Sequence, residues 1–177
     1  DGVSLFSTAH PSRTRGAKLA QANCFTGAFS VEMLDKVQEA MQGFMDDDGN
    51  LLNVTPNTIV IPNVGSLKRA VLAAVGSDLD PDNNNAMNFQ AGLWNVCVWN
   101  YLPKTIGGKP FFFMMDTDFK EDYECMPWVD RVKLTVRSEI DPNTDANVFR
   151  GRARFGAGFN NWRCIALCGE GVAGKTL

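Results

Sequence analysis

The chain has 177 residues, 45% of them hydrophobic and 21% charged, with a net charge of −3, a composition that suits one ordinary globular domain or two small lobes sharing a core. That acidic balance excludes a protein that grips nucleic acid over its whole surface, because phosphate neutralisation supplies most non-specific affinity; only a local basic patch is compatible with it. No run of about 18 apolar residues reads as a membrane span, no signal peptide is visible, and the five cysteines are too irregularly spaced for a disulfide framework, which points to a reducing compartment.

Residues 1–11 read as a turn, a short apolar strand and a polar loop closed by His10-Pro11. Over 30–45, apolar residues at 34, 37, 41, 44 and 45 make a helical stripe, with Ser30 as N-cap and Glu32 in the first turn. Asp46-Asp47-Asp48-Gly49-Asn50 ends that helix and turns the chain. Residues 58–62, β-branched and apolar, predict a buried strand. Asn63 is placed to cap a second helix with Val64, Leu67, Val71, Leu72 and Val75 on one face and Gly76 as its stop. Residues 77–88 form a long polar loop carrying Asp78, Asp80, Asp82 and three consecutive asparagines.

Further strands are predicted over 93–102, with Trp94 and Trp99, and over 110–115, where the run is apolar enough to be buried on both faces. Val132, Leu134 and Val136 alternate with Arg131, Lys133, Thr135 and Arg137, the pattern of a strand with one wet face. A turn at 141–145 leads to the last strands, 148–155 and 163–168. There is no internal repeat and no strict β-α alternation, so the fold class is α+β rather than a doubly wound sheet.

Few side-chain constellations point to chemistry. Residues 169–176 match the phosphate-loop pattern, with Gly169, Gly174, Lys175 and Thr176 at the defining positions. That chemistry needs a helix after the loop to hold the anion, and only Leu177 follows. The preferred reading is a glycine-rich tail, with a nucleotide site as the alternative. Asp46, Asp48 and Asn50 would be ligands one, three and five of a calcium loop, but position six is Leu51 and position twelve is Asn57. Cys164 and Cys168, placed on one strand face, have no second ligand pair nearby and read as small core residues rather than a zinc or redox site. His10 is the sole histidine, before a proline, and reads as structural; adjacent Glu121 and Asp122 would face apart on a strand. No catalytic residues, cofactor or metal site are predicted. Arg150, Arg152 and Arg154 alternate on one strand face, with Phe149, Ala153 and Phe155 on the other. They read as a wet face or as guanidinium forks for a neighbour's carboxylates or packaged DNA.

Taken in order, the 1–11 stretch, Asn23, the helix near 34–45, the acidic turn with Gly49, the strand at 58–62, the segment through Val75 and the closing 155–163 form a cassette. It resembles the major head subunit of Mu-like tailed phages and prophages, whose members have the Hong Kong 97-type capsid fold. The resemblance implies an axial lobe over 24–140, with two helices and a central sheet, and peripheral-lobe strands over 1–23 and 141–177. The family's N-terminal arm, extended loop and spine helix have no counterpart here, so the chain is expected to be a fragment, a processed product or part of something longer. The implied function is structural: copies join as hexameric and pentameric capsomers into a shell around double-stranded DNA. The subunit would be assembled in the bacterial host cytoplasm and would reside in the virion, not in a membrane. Scaffold, portal and decoration proteins are the implied partners, with weak non-specific DNA contact. Asp78, Asp80, Asp82 and the arginine row would be interaction residues.

Overall fold

The structure is a computed structural model and describes residues 2–78 and 87–172. Its strands are β1 (His10–Ser12), β2 (Gly16–Gln21), β3 (Cys24–Phe25), β4 (Thr58–Pro62), β5 (Asn95–Trp99), β6 (Phe111–Met115), β7 (Trp128–Ile140), β8 (Asn147–Ala157) and β9 (Ile165–Gly169). Its α-helices are α1 (Val31–Gln42), α2 (Gly65–Gly76) and α3 (Thr117–Asp122). Five strands make a mixed sheet in the order β3-β9-β6-β4-β5; β1 with β2, and β7 with β8, form separate two-stranded ribbons. The result is a mixed α and β architecture, as expected from the order of patterns.

Strict side-chain alternation builds the core on both faces of the sheet. Ile59 and Ile61 of β4, Phe112 and Met114 of β6, and Ala166 and Cys168 of β9 face one way and are packed in one cluster with α1 and α2. Phe111, Leu167 and Cys24 face the other way, under Phe6, Leu102 and Ile106. The 58–62 and 110–115 strands are therefore central, as their apolar runs predict. β6 is antiparallel to both its neighbours, β4 and β9. The outer pairs, β4 with β5 and β9 with β3, are parallel.

Helix α1 keeps its expected cap and the first part of its stripe, but it ends at Gln42 with Gly43 as C-cap, so the acidic turn at 46–50 does not end it. Ser30 accepts a hydrogen bond from the Met33 amide at 3.1 Å, and Leu34, Val37 and Met41 are fully buried. Each such side chain contributes about 1.5–3 kcal/mol of apolar burial. Phe44 is buried too, but beyond the helix, while Met45 bridges to Leu51 across the acidic turn.

Helix α2 departs from its pattern. Its N-cap is Val64, with no side-chain cap bond, so Asn63 does not cap it. Leu72 is 48% exposed, and Ala74 takes its place in the buried stripe. Gly76 lies inside the helix and Ser77 follows as C-cap. The 93–102 strand is shorter than expected. Trp94 precedes it, buried and donating its indole N–H to Gln90 at 2.6 Å. The strand itself is an exposed sheet edge. At the end of the chain, Trp162–Cys164 is a 3-10 turn and β9 begins only at Ile165.

The largest correction concerns residues 128–157. β7 and β8 form a hairpin that leaves the body, so the expected half-buried strand is exposed on both faces. Leu134 and Val136 are 70% and 63% exposed. Alternation alone cannot tell whether a layer exists to cover the apolar side, and none does among the described residues. The hairpin turn lies at the 140/141 boundary, and β9, from the C-terminal side of that boundary, pairs with β3 and β6 within the main sheet.

Candidate interaction surfaces

Several residues of the ordered cassette meet in space at a buried polar junction. The Asn23 carboxamide oxygen accepts from the Ser7 amide at 2.9 Å and from His10 Nε2 at 3.0 Å. Its NH2 donates to the carbonyls of Leu5 at 2.7 Å and Ile165 at 3.1 Å. The Asn23 backbone continues the stitching: its carbonyl accepts from Leu167 at 2.8 Å. His10 stacks on Trp162, with ring centroids 4.1 Å apart, and Phe44 meets the same indole edge-on. Arg163 lies over that indole at 4.7 Å, donates to the Met45 carbonyl at 2.8 Å and pairs with Asp47 at 3.2 Å. Burial holds the His10 pKa below its usual value, against the opposing pull of the Asn23 hydrogen bond. The junction ties the N-terminal segment, β3 and the Trp162 turn together through buried polar bonds.

The acidic turn is a closed Asx-type turn. One Asp46 carboxylate oxygen accepts from the amides of Asp48, Gly49 and Asn50, and the other accepts from the Asn50 side chain. These bonds lower the Asp46 pKa, the Asn50 side chain first. Among the described residues no group of three His, Cys, Asp or Glu gathers as a metal site.

The four buried cysteines are Cys24, Cys125, Cys164 and Cys168, and Cys97 is exposed on β5. Burial raises the thiol pKa at all four buried positions. Cys164 sits in the 3-10 turn and Cys168 in β9, so they do not share a strand as expected, though both pack in the helix-side core.

Packing accounts for the described glycines of the phosphate-loop pattern. A Cβ on Gly169 would lie 2.9 Å from the Phe111 Cβ, and one on Gly171 would lie 1.8 Å from the Ile106 carbonyl oxygen. Val172 is buried after a single 3-10 turn, and Glu170 pairs with Lys109 at 3.1 Å. Those contacts pack residues 169–172 against the end of the sheet. Gly174, Lys175 and Thr176 lie outside the described residues, as do Asp80 and Asp82.

Asp78 is described, and its carbonyl accepts from the Asn88 amide at 3.2 Å. The Asn88 side chain donates to the carbonyls of Ala74 and Ser77 at 2.6 and 2.8 Å. It thereby draws the two ends of the polar loop together beneath α2. Asn88 lies three residues beyond the asparagine run at 83–85, and nothing in its local pattern singles it out.

The arginine row stands where alternation places it. Register pairs Arg150 with Arg137, Arg152 with Thr135 and Arg154 with Val132, all on one face of the hairpin. Arg150 pairs with Glu139 at 3.2 Å, an exposed contact of small worth. The opposite face carries Trp128, Leu134, Val136, Ile140, Phe149 and Phe155, each at least 60% exposed. Trp128 stacks on Phe155 at 4.6 Å. Two bulges twist β7 between Asp130 and Thr135.

Comparison with curated proteins gives no match. The family model described as phage capsid protein matches residues 3–168. That span takes in the Asn23 junction, the central sheet and the projecting hairpin. The chain belongs to the phage capsid protein family, and its role is structural.

Proposed function

We propose that the chain is the major head subunit of a Mu-like tailed phage or prophage, with the Hong Kong 97-type fold, and that hexameric and pentameric capsomers of it form a shell around double-stranded DNA. The observation that carries this reading is the β7–β8 hairpin. An isolated two-stranded ribbon is marginal in water, and this one holds seven large apolar side chains in the open. Contact with other copies is what makes such an element stable. In the proposed lobes, α1, α2 and the central sheet form the axial part, and the hairpin belongs to the peripheral part. The loop that follows α2, with Asp78, Asp80 and Asp82, lines the capsomer axis, and the arginine row faces a neighbour or packaged DNA. Scaffold, portal and decoration proteins would meet the finished faces. The subunit would assemble in the host cytoplasm and end in the virion.

Electron microscopy of the full-length subunit, expressed alone and with its neighbouring phage genes, tests the proposal. Closed shells with six- and five-fold capsomers are expected. Monomers under every condition would refute it.

A further inference from the structure

The β7–β8 hairpin is a long arm with two chemically opposite faces. Thirteen residues of β7 span about 40 Å at strand rise. Between 128 and 157 the chain has six Lys and Arg against four Asp and Glu, although the whole chain is net negative. On the arginine face, Arg137 and Arg150 stand directly opposite each other, and like charges so placed repel. Glu139 relieves Arg150. Arg137, Arg152 and Arg154 form no ion pair among the described residues. A groove of about 490 Å³, lined by Val132, Thr135, Arg137, Glu139, Arg150 and Arg152, runs along this face.

The complementary surface is on the same chain. Asp118, Glu121, Asp122 and Glu124 are exposed on and just after α3, with Lys120 the one cation among them. None of these carboxylates is in an ion pair among the described residues. The arm springs from Trp128, just beyond this knob, and no ion pair or hydrogen bond joins its arginines to residues 116–124 of their own chain. Two oppositely charged surfaces that do not meet within one chain are suited to a head-to-tail contact, which closes rings when the rotation allows.

Resting on the capsid reading, we propose that the arginine face of the arm docks onto the acidic α3 knob of a second copy. Guanidinium forks on carboxylates give a directional, bidentate contact. DNA is the less suitable occupant, because Glu139 interrupts the row and the molecule as a whole is acidic.

The test uses the full-length subunit and charge reversal. One variant carries Arg150→Glu, Arg152→Glu and Arg154→Glu; the other carries Asp118→Lys, Glu121→Lys and Asp122→Lys. Sedimentation reads assembly, thermal melting reads folding, and nuclease protection reads DNA content. Each variant alone is expected to melt like the parent yet need at least tenfold more protein to assemble. An equimolar mixture of the two should recover six-membered rings near the parental concentration, because the variants can alternate there so that every arm meets an opposite charge. Should a reversal disturb folding, Arg150→Gln with Arg152→Gln and Arg154→Gln replaces it and is expected to weaken assembly in the same direction. If the arginine variant forms shells at the parental concentration, the inference is overturned, whether or not those shells have lost DNA. A mixture that recovers no six-membered rings overturns it as well. If the parent itself never assembles, the capsid reading fails first and this contact with it.

Discussion

At the scale of single residues, Asn23 carries more of the structure than any charged group. It joins the 2–10 segment, β3 and the Trp162–Ile165 turn through five side-chain hydrogen bonds, and it is fully buried. Asn23→Ala would leave several buried donors and acceptors unpaired. Each such group costs about 1–3 kcal/mol, so a loss of about 3 kcal/mol is expected in denaturant unfolding, a large share of the roughly 5–15 kcal/mol that stabilises a domain. A loss below about 1 kcal/mol would show that water replaces the carboxamide. His10 supplies the pH dependence. Its folded pKa lies below the ordinary 6.5 because burial disfavours the imidazolium. The unfolded chain therefore binds the proton more readily, and stability must fall as pH drops below 6.5 towards the folded value. Melting temperature should decline between pH 7 and pH 5, and decline less in His10→Gln. Equal slopes in both proteins would assign the effect to other groups.

At the scale of elements, the two long helices contrast. α1 has its cap and its stripe encoded locally, while its stop at Gly43 comes before the acidic turn expected to end it. Ser30→Ala removes the acceptor for the Met33 amide and is expected to cost about 1 kcal/mol, measured by chemical denaturation. α2 lacks such a cap, so its position depends on Leu67, Val71, Ala74 and Val75 packing on the sheet. The β7–β8 arm has no comparable packing. Its two strands pair only with each other, with two bulges in β7, and its side chains are in water; such elements open at low free energy. Amides of 128–157 should therefore exchange quickly in the isolated subunit and slow by orders of magnitude in assembled particles. Strong protection already present in the monomer would mean the arm is stable by itself.

At the scale of the whole molecule, stability and assembly reside in different places. The core is the sheet with α1 and α2, while the arm contributes little to it and Asp78 is exposed. Asp78→Asn should therefore leave the isolated subunit within about 0.5 kcal/mol of the parent. On the proposed axial placement it should shift the salt and divalent-cation dependence of capsomer formation, since several copies of the carboxylate would repel there. Sizing against salt checks this, and a particle map with the loop at the capsomer rim would rule the placement out. What the sequence by itself determined was local: the buried strands at 58–62 and 110–115, the capped helix after Ser30 and the two-faced alternation around Arg150, Arg152 and Arg154. Periodicity and composition act over a few residues, so they are legible without a fold. The tertiary structure alone decided which strands are neighbours, why Gly171 must lack a side chain against Ile106, and that Asn23 binds a carbonyl 142 residues away. It also decided that the arm is bare on both faces. Those outcomes depend on which distant surfaces come together, and side-chain alternation is the same whether the facing layer belongs to the same chain, to another chain or to water.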